Sequence, residues 1–321
     1  MEDIIKTNKL CKIYEFKDSS LPIWKRILHN KNIKIKALID FTVSIGQGEI
    51  VGVLGLNGAG KTTLIKMLTG ILTPSSGEID ILGFDPQKNR YKYTYNIGVV
   101  MGQKSLLFPN IAVKESLLLY KNIYEISDID YDNRLKKFNK IFKIDELLEI
   151  PVRKLSLGQR MKCEIVASIL HNPKILFLDE PTIGLDIISK NQIYEMLLEM
   201  NRELKTTIIL TTHNLNDVDI LCKRIILIDK GKKIYDGDKT KIENLNTDRE
   251  IILRGSIENI GVFFNKYEYI DDNCIRIESN KEDLSNDIKI ISNLEGITDI
   301  KIQSKGLEKI LESIYKGYIS I

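Results

Sequence analysis

The sequence predicts an α/β protein with buried parallel strands, followed by a smaller α+β unit. One apolar run, Ile50–Leu54, leads into a glycine-rich loop, and a second run over residues 175–178 ends in two acids. Apolar runs without polar alternation are typical of strands that are covered on both faces of a parallel sheet. After Gly237 the composition becomes charged and polar, which indicates a linker and then a second unit.

The loop after the first run fits the phosphate-binding P-loop at its fixed glycine, lysine and threonine positions. Its glycines allow backbone N–H groups to face a phosphate, and the helix predicted over residues 63–72, with Ile71 on its apolar face, adds positive charge at its start. The lysine would reach the β- and γ-phosphates, and the threonine would ligate Mg²⁺. The predicted ATP-binding residues are Gly55, Leu56, Asn57, Gly58, Ala59, Gly60, Lys61, Thr62 and Thr63.

The second apolar run ends in Asp179 and Glu180, which we place at the tip of a buried strand. Asp179 can hold Mg²⁺, through its water shell. Glu180 points to the other side of the strand and could act on the water that attacks the γ-phosphate, a role that contributes about 10²–10⁴-fold to rate. Two acids that merely end a strand are the simpler interpretation of an isolated pair. Beside a P-loop, hydrolysis of ATP is the better one.

Composition restricts the possible partners. The net charge of +3 is too small to indicate nucleic-acid binding. No apolar run is long enough to cross a bilayer, and no secretory signal opens the sequence, so we expect no intrinsic membrane span. The four cysteines have no metal-like spacing and are expected to be reduced thiols, most of them in the core of a cytosolic protein.

Upstream of the acidic strand, Ser156 precedes a helix predicted over residues 161–170. Taken alone, a serine at this place favours a helix N-cap. The order of the motifs indicates more, because here the chain resembles the ATP-binding subunits of ATP-binding cassette (ABC) transporters over about residues 4–237. Their signature lies before such a helix, and the acidic strand follows it.

The resemblance implies a P-loop NTPase cassette, with a mixed sheet core, an antiparallel β part and a helical signature subdomain. It assigns adenine stacking to Tyr14, and contact with Mg²⁺ and the membrane partner to Gln103. It assigns contact with the γ-phosphate to His213 and communication across a dimer to Asp186. In trans, the ATP of a second subunit would meet Ser156, Gly158 and Gln159. Catalytic roles thus fall on Glu180, His213 and Gln103, and metal-binding roles on Thr62, Gln103 and Asp179.

The resemblance also implies partners. With one copy of each motif, the chain would pair with a second copy of itself or with a paralogous ATP-binding subunit, and would drive a separately encoded transmembrane permease. We expect an exporter subunit in the cytoplasm, peripheral at the inner face of the cell membrane. Two alternatives stay open: a soluble cassette ATPase that acts on ribosomes or cofactor assembly, and an ATP-gated adaptor that hardly hydrolyses ATP.

Two features depart from the family pattern. Leu157 occupies the first glycine of the common LSGGQ signature, and a leucine would be strained there if the position required positive φ. Residues 21–31 form a basic insert with the single tryptophan, Trp24. A surface hairpin extension is the favoured interpretation of the insert, and a helix at the lipid surface or against a permease is the alternative.

The C-terminal region, residues 238–321, is predicted to be a linker over 238–249 and then a small ferredoxin-like domain. Its pattern is strand–helix–strand–strand–helix–strand. Strands are predicted over 251–254, 267–270, 274–278 and 297–303, and helices over 257–264, 282–294 and 307–315. The region carries no glycine-rich loop or histidine cluster, so a regulatory or dimer-supporting role is expected.

Overall fold

The structure is a computed structural model that describes residues 2–17, 32–102, 104–243, 249–256, 260–264, 266–279, 283–304, 310–311 and 314. The chain divides into two compact units, Met1–Gly237 and Asp238–Ile321. In chain order the first unit contains β1 (Asp3–Lys17), β2 (Asn32–Gly46), β3 (Ile50–Leu54), α1 (Lys61–Leu68), β4 (Ser76–Ile81), α2 (Arg90–Thr94), β5 (Ile97–Met101), α3 (Val113–Ile123), α4 (Asp128–Phe142), α5 (Leu157–Ile169), β6 (Ile175–Asp179), α6 (Ile187–Leu204), β7 (Thr207–Thr212), α7 (Leu215–Leu221), β8 (Arg224–Asp229) and β9 (Lys232–Asp238).

A six-stranded sheet in the order β5-β6-β7-β3-β8-β9 forms the centre of this unit. Strands β5, β6, β7, β3 and β8 run parallel, so their carboxyl ends meet at one edge. Residues in β6 and β7 are almost fully buried, and the apolar run of β6 predicts this for that strand. The P-loop follows β3, and Asp179 ends β6, so both lie at the same edge of the sheet.

A second, antiparallel sheet in the order β2-β1-β4 provides the antiparallel part. Helices α3, α4 and α5 form the helical part, where the rings of Phe138 and Phe142 pack edge to face in the core. The predicted mixed sheet core, antiparallel part and helical part are therefore confirmed. Strands β1 and β2 pair as far as Lys17 and Asn32, and the insert with Trp24 lies outside the described residues.

The helix after the P-loop is shorter than predicted and starts earlier. It begins at Lys61 and ends at Leu68, whereas the apolar periodicity suggested residues 63–72. Gly70 adopts a φ of +72°, a left-handed conformation that terminates helices. The prediction that Ile71 lies on the buried face is wrong, because Ile71 is 51% exposed.

The second unit is an antiparallel sheet packed against helix. It contains α8 (Lys239–Glu243), β10 (Arg249–Gly255), β11 (Tyr267–Asp271), β12 (Cys274–Ser279), α9 (Leu284–Ser292) and β13 (Ile297–Ser304). The strand order is β11-β12-β10-β13, with the first and third strands central, as a ferredoxin-like unit requires. Its core includes Ile251, Leu253, Ile275, Ile277 and Ile291.

Three details of this unit correct the sequence prediction. The linker contains the short helix α8. In the described part of residues 257–264, only Ile260–Val262 is helical, as a single 3₁₀ turn. Helix α9 is shorter at both ends than the predicted range of 282–294. Of the last predicted helix, only Ile310, Leu311 and Ile314 are described, and all three are helical and buried.

Candidate functional site

Close backbone contacts explain the glycines of the P-loop. Gly60 has a φ of +113°, and a Cβ there would lie 2.4 Å from the carbonyl oxygen of Ala37 in β2. A Cβ on Gly55 would lie 2.5 Å from the carbonyl oxygen of Ile228 in β8. Any larger residue would push the loop away from both strands. The loop therefore depends on glycine both for its conformation and for its position at the sheet edge.

Lys61, the first residue of α1, is only 6% exposed. Its Nζ donates to the carbonyl oxygens of Gly55 at 2.6 Å and Leu56 at 3.2 Å, so the ammonium lies across the mouth of the loop. Burial lowers the pKa of Lys61, and the negative charges of Glu180 and Asp179 oppose this effect. Lys61 is thus a buried cation at the mouth of the P-loop, and hydrogen bonds from such a cation to a phosphate are charge-assisted.

Asp179 and Thr62 converge from distant parts of the chain. The Thr62 hydroxyl donates to Oδ1 of Asp179 at 3.3 Å. The same carboxylate oxygen accepts from the hydroxyl of Thr211 in β7 at 2.5 Å. Hydroxyl and carboxylate oxygens are the ligands that a hard divalent cation prefers. Thr211 was not predicted, because a threonine inside an apolar strand carries no signal of its own.

Glu180 follows directly and faces His213 instead. Its Oε2 lies 2.9 Å from Nδ1 of His213, which follows β7. The Glu180 backbone adopts a φ of +55°, which is unusual for a residue with a side chain, and its N–H donates to the carbonyl of Thr211 at 3.0 Å. This left-handed turn directs Asp179 and Glu180 to different partners, as we predicted from their order.

Ser156 is the N-cap of α5. Its hydroxyl accepts from the backbone N–H of Gln159 at 3.2 Å, and the Gln159 side chain accepts from the N–H of Ser156 at 2.9 Å. These reciprocal bonds form a capping box. The concern about Leu157 is not supported, because it is the first residue of the helix and has a negative φ. Helix α5 therefore begins four residues before the predicted start.

Gly158 brings the start of α5 against the start of α6. A Cβ on Gly158 would lie 2.4 Å from Oγ of Ser189 and 2.7 Å from its Cβ. Ser189 is in turn held by Asp186, the N-cap of α6, which accepts from its backbone N–H at 2.9 Å and from its hydroxyl at 2.7 Å. These bonds lower the pKa of Asp186. The structure therefore places the two predicted dimer-contacting segments side by side.

The residues on the two sides of Gln103 are hydrogen-bonded to β6 and to α5. Gln103 itself lies outside the described residues, but the N–H of its neighbour Gly102 donates to the carbonyl oxygen of Asp179 at 3.0 Å. Farther along, the Ser105 hydroxyl lies 2.7 Å from Oε1 of Glu164, a buried carboxylate on α5. Burial raises the pKa of Glu164. Neither Ser105 nor Glu164 was predicted, because the sequence gives no sign that they meet.

Tyr14 is partly buried in β1. Its ring stacks on Phe16 with centroids 6.2 Å apart, and the Nζ of Lys12 lies 5.4 Å from its centroid. It pairs with Ile35, two residues from the Ala37 carbonyl that contacts the P-loop. The register thus places Tyr14 near the part of β2 that contacts the P-loop.

The four cysteines carry free thiols, and Cys163, Cys222 and Cys274 are buried, as expected.

No helix within the described ranges is long and apolar enough to cross a bilayer.

Comparison with known proteins gives consistent matches. The profile of the family described as "ABC transporter" matches residues 38–183. The ABC transporter ATP-binding protein NatA of Bacillus subtilis (strain 168) is 36% identical over 212 residues, which cover 66% of this chain and 86% of NatA. The linearmycin resistance ATP-binding protein LnrL of the same organism is 34% identical over 199 residues, which cover 62% of this chain and 63% of LnrL.

Among solved structures, cbiO1 from Clostridium perfringens, part of the ABC transporter complex cbiONQ, is similar in fold. Its TM-score is 0.62 with 28% identity, and the match covers 75% of this chain and 91% of cbiO1. The predicted P-loop cassette fold and the assignment as an ATPase that binds ATP are confirmed. The chain belongs to the ATP-binding proteins of the ABC transporter family.

Proposed function

We propose that this chain is the ATP-hydrolysing subunit of an exporter and that Lys61, Asp179, Glu180 and His213 form its hydrolytic site. The observation that carries the proposal is their meeting at one sheet edge. Lys61 starts the helix after β3, Asp179 ends β6, and Glu180, which follows Asp179, lies 2.9 Å from His213 after β7. A phosphate-binding cation, a metal-binding acid and a base are thereby within reach of one γ-phosphate.

Within this site, Lys61 binds the β- and γ-phosphates, and Glu180 accepts a proton from the attacking water. Thr62 and Asp179 would hold Mg²⁺, with Gln103 beside them. Bound Mg²⁺ neutralises the charge that develops on the phosphate oxygens. His213 holds the γ-phosphate. Tyr14 supplies the face on which adenine stacks.

We further propose a head-to-tail dimer in which Ser156, Gly158 and Gln159 reach the ATP of a second subunit. Apolar side chains around these residues are left uncovered in the single chain and would be buried by a partner. They are between 39% and 76% exposed and comprise Leu56, Leu157, Ile183, Ile187 and Ile188. Leu56 lies in the P-loop, Ile183 lies in the turn after β6, and the other three lie at the starts of α5 and α6. A head-to-tail arrangement would bring the two sides together.

The proposed ATPase cycle follows from the difference between the affinities of the closed and the open dimer for ATP. ATP bridges the two subunits and favours closure, and loss of the γ-phosphate favours opening. A permease that docks near Gln103 would follow this motion at the inner face of the membrane.

The names of LnrL and cbiO1, a resistance protein and a part of a transporter complex, favour transport and export. The adaptor alternative depends on strain at Leu157, and the negative φ of Leu157 removes that support.

For the second unit, residues 238–321, we propose a regulatory or dimer-supporting role, with residues 1–237 as the nucleotide-binding domain.

The proposal is tested by purifying the tagged chain from gently solubilised membranes, with and without ATP, and identifying what is bound. We expect a multi-spanning permease in stoichiometric amount. The Lys61→Ala variant serves as the control for dependence on ATP. Recovery only from the soluble fraction, together with ribosomes or an assembly complex, would leave the ATPase chemistry in place and contradict the transport function.

A further inference from the structure

We propose that Asp217 is a positioning residue that holds the backbone turns carrying Glu180 and His213 at a fixed separation. It is fully buried in the first turn of α7, where its exposure is 0%. The inference rests on the proposed function for the hydrolytic roles of Glu180 and His213. The inference adds the group that keeps the backbone turns of these two residues at a fixed distance from each other.

Three hydroxyl groups, each from a different element, donate to the Asp217 carboxylate. Thr182 and Thr212 both donate to Oδ2 at 2.6 Å. Tyr194, on α6, donates to Oδ1 at 2.5 Å. All three donors are themselves buried. A single carboxylate thus joins the turn after β6, the end of β7 and the helix that follows Asp186.

Each threonine is close in sequence to a proposed catalytic residue. Thr182 lies two residues after Glu180, in a turn in which the N–H of Ile183 bonds to the carbonyl of Glu180 at 3.4 Å. Thr212 immediately precedes His213, and its hydroxyl also accepts from the N–H of Asn214 at 2.9 Å. The backbone is therefore fixed on both sides of His213.

A helix-capping role does not account for this arrangement. An acid in the first turn of α7 favours the helix dipole, but an exposed acid would serve equally well. Burying a carboxylate is costly unless it is fully hydrogen-bonded, and Asp217 meets that condition only by joining three elements. In addition, the left-handed backbone of Glu180 requires support from its surroundings to persist. The bond from Thr182 to Asp217 supplies support two residues away.

The central test is Asp217→Asn in the full chain, measured as steady-state ATP hydrolysis. All three neighbours donate to Asp217, and an amide would present a donor to at least one of them. We expect kcat to fall roughly 10–10²-fold, the effect of a small displacement of reacting groups. The KM for ATP should change less than about threefold, because Asp217 does not contact Lys61 or Thr62. Asp219→Asn, an exposed position on the same helix, is the matched control and should retain wild-type kcat.

Variants that each remove one hydroxyl separate positioning from general stability, and they serve as the test if Asp217→Asn does not fold. Thr182→Val and Thr212→Val should lower kcat, because each loosens one catalytic turn. Tyr194→Phe should lower the melting temperature with little change in kcat, because Tyr194 anchors α6. Unchanged kcat in both threonine variants, or an equal loss of kcat in all three variants, would overturn the inference.

Glu180→Gln distinguishes failure of the inference from failure of the proposed function. If Glu180→Gln retains turnover, the proposed base is wrong and the inference falls with it. If Glu180→Gln is inactive while Asp217→Asn has wild-type kcat, the proposed function stands and only the positioning role fails. In the double variant, Asp217→Asn should add little to the loss caused by Glu180→Gln, because both act through the same group.

Discussion

The imidazole of His213 faces the carboxylate of Glu180, with Nδ1 and Oε2 2.9 Å apart. The two residues follow neighbouring parallel strands, so their approach is set by the register of β6 and β7. A ring that donates from Nδ1 to Glu180 can also donate to a phosphate from Nε2 only when it is protonated. The pair therefore links the position of the proposed base to the charge of the residue that would hold the γ-phosphate.

Replacing Glu180 with Gln should abolish hydrolysis and preserve ATP binding. The amide cannot accept a proton from water, and we expect a loss of about 10²–10⁴-fold in kcat. The variant should accumulate as a dimer in ATP, which size-exclusion chromatography detects. Glu195→Gln, at an exposed position on α6, is the control. Rapid turnover by Glu180→Gln would refute its role as base.

Replacing Lys61 with Ala should weaken ATP binding itself. The change removes a buried cation from the mouth of the P-loop, and charge-assisted hydrogen bonds are worth about 1.5–3 kcal/mol. We therefore expect Kd to rise roughly 10–10²-fold in a nucleotide titration. Lys66→Ala, on the same helix, keeps the loop intact and should bind normally. Equal affinity in the two variants would contradict the proposed role of Lys61.

Replacing Gly158 with Ala should separate the starts of α5 and α6. The new methyl group would lie 2.4 Å from Oγ of Ser189, so one helix must shift. Overpacking of this kind costs about 1–3 kcal/mol, which chemical denaturation measures. ATP-dependent dimerisation should weaken as well. Leu157→Ala, at the neighbouring exposed position, is the control, and a stability loss as large as that of Gly158→Ala would argue against the contact with Ser189.

Replacing Glu164 with Ala should destabilise the fold more than replacing it with Gln. Ala removes the 2.7 Å bond with the Ser105 hydroxyl and leaves space at a buried position of α5, whereas Gln fills the space and offers an oxygen of similar reach. The loss from Ala is expected at about 1–3 kcal/mol in the free energy of unfolding. Ser105→Ala in the Glu164→Ala background tests the pairing. Full additivity of the two changes would show that the bond contributes nothing.

His171 should make the fold sensitive to acid. Its ring stacks on Tyr124 at 3.9 Å, and its Nε2 lies 2.9 Å from the carbonyl oxygen of Ile97. Burial lowers the pKa of His171 to about 4. The unfolded chain therefore binds this proton first, and stability is lost as pH falls from about 6.5 to about 4, by roughly 3 kcal/mol in total.

Denaturation at several pH values checks this expectation, with His171→Phe as the comparison because it keeps an aromatic ring on Tyr124. The slope of unfolding free energy against pH should be smaller in His171→Phe. Identical slopes in the two proteins would assign the acid sensitivity to other groups.

The sequence predicted the central parts of the site because their signals are local. A P-loop, an acidic strand end and apolar runs each occupy a few consecutive residues, so Lys61, Asp179 and β3 could be placed directly. His213 was identified only through the family resemblance. Thr211 and Asp217 could not be identified, because their roles arise from strands and helices that meet only in the folded chain.

Helix ends were the least predictable part of the fold. Apolar spacing extended α1 to Ile71, but the left-handed Gly70 ends it earlier. In the other direction, the capping box of Ser156 and Gln159 starts α5 before its apolar stripe begins. The expected strain at Leu157 assumed that the signature loop lies outside the helix. In each case a local hydrogen-bond or dihedral requirement overrides periodicity.

At position 180 the left-handed backbone favours glycine, whereas the proposed hydrolysis requires a carboxylate. A residue with a Cβ is disfavoured in this conformation by roughly 1–2 kcal/mol, a cost that glycine avoids. Glu180→Gly should therefore relieve strain in the turn and abolish the proposed base at the same time. Glycine, which this backbone accommodates with the least strain, has no carboxylate and so cannot act as the base. Engineering for thermal tolerance should accordingly leave position 180 unchanged and seek gains elsewhere.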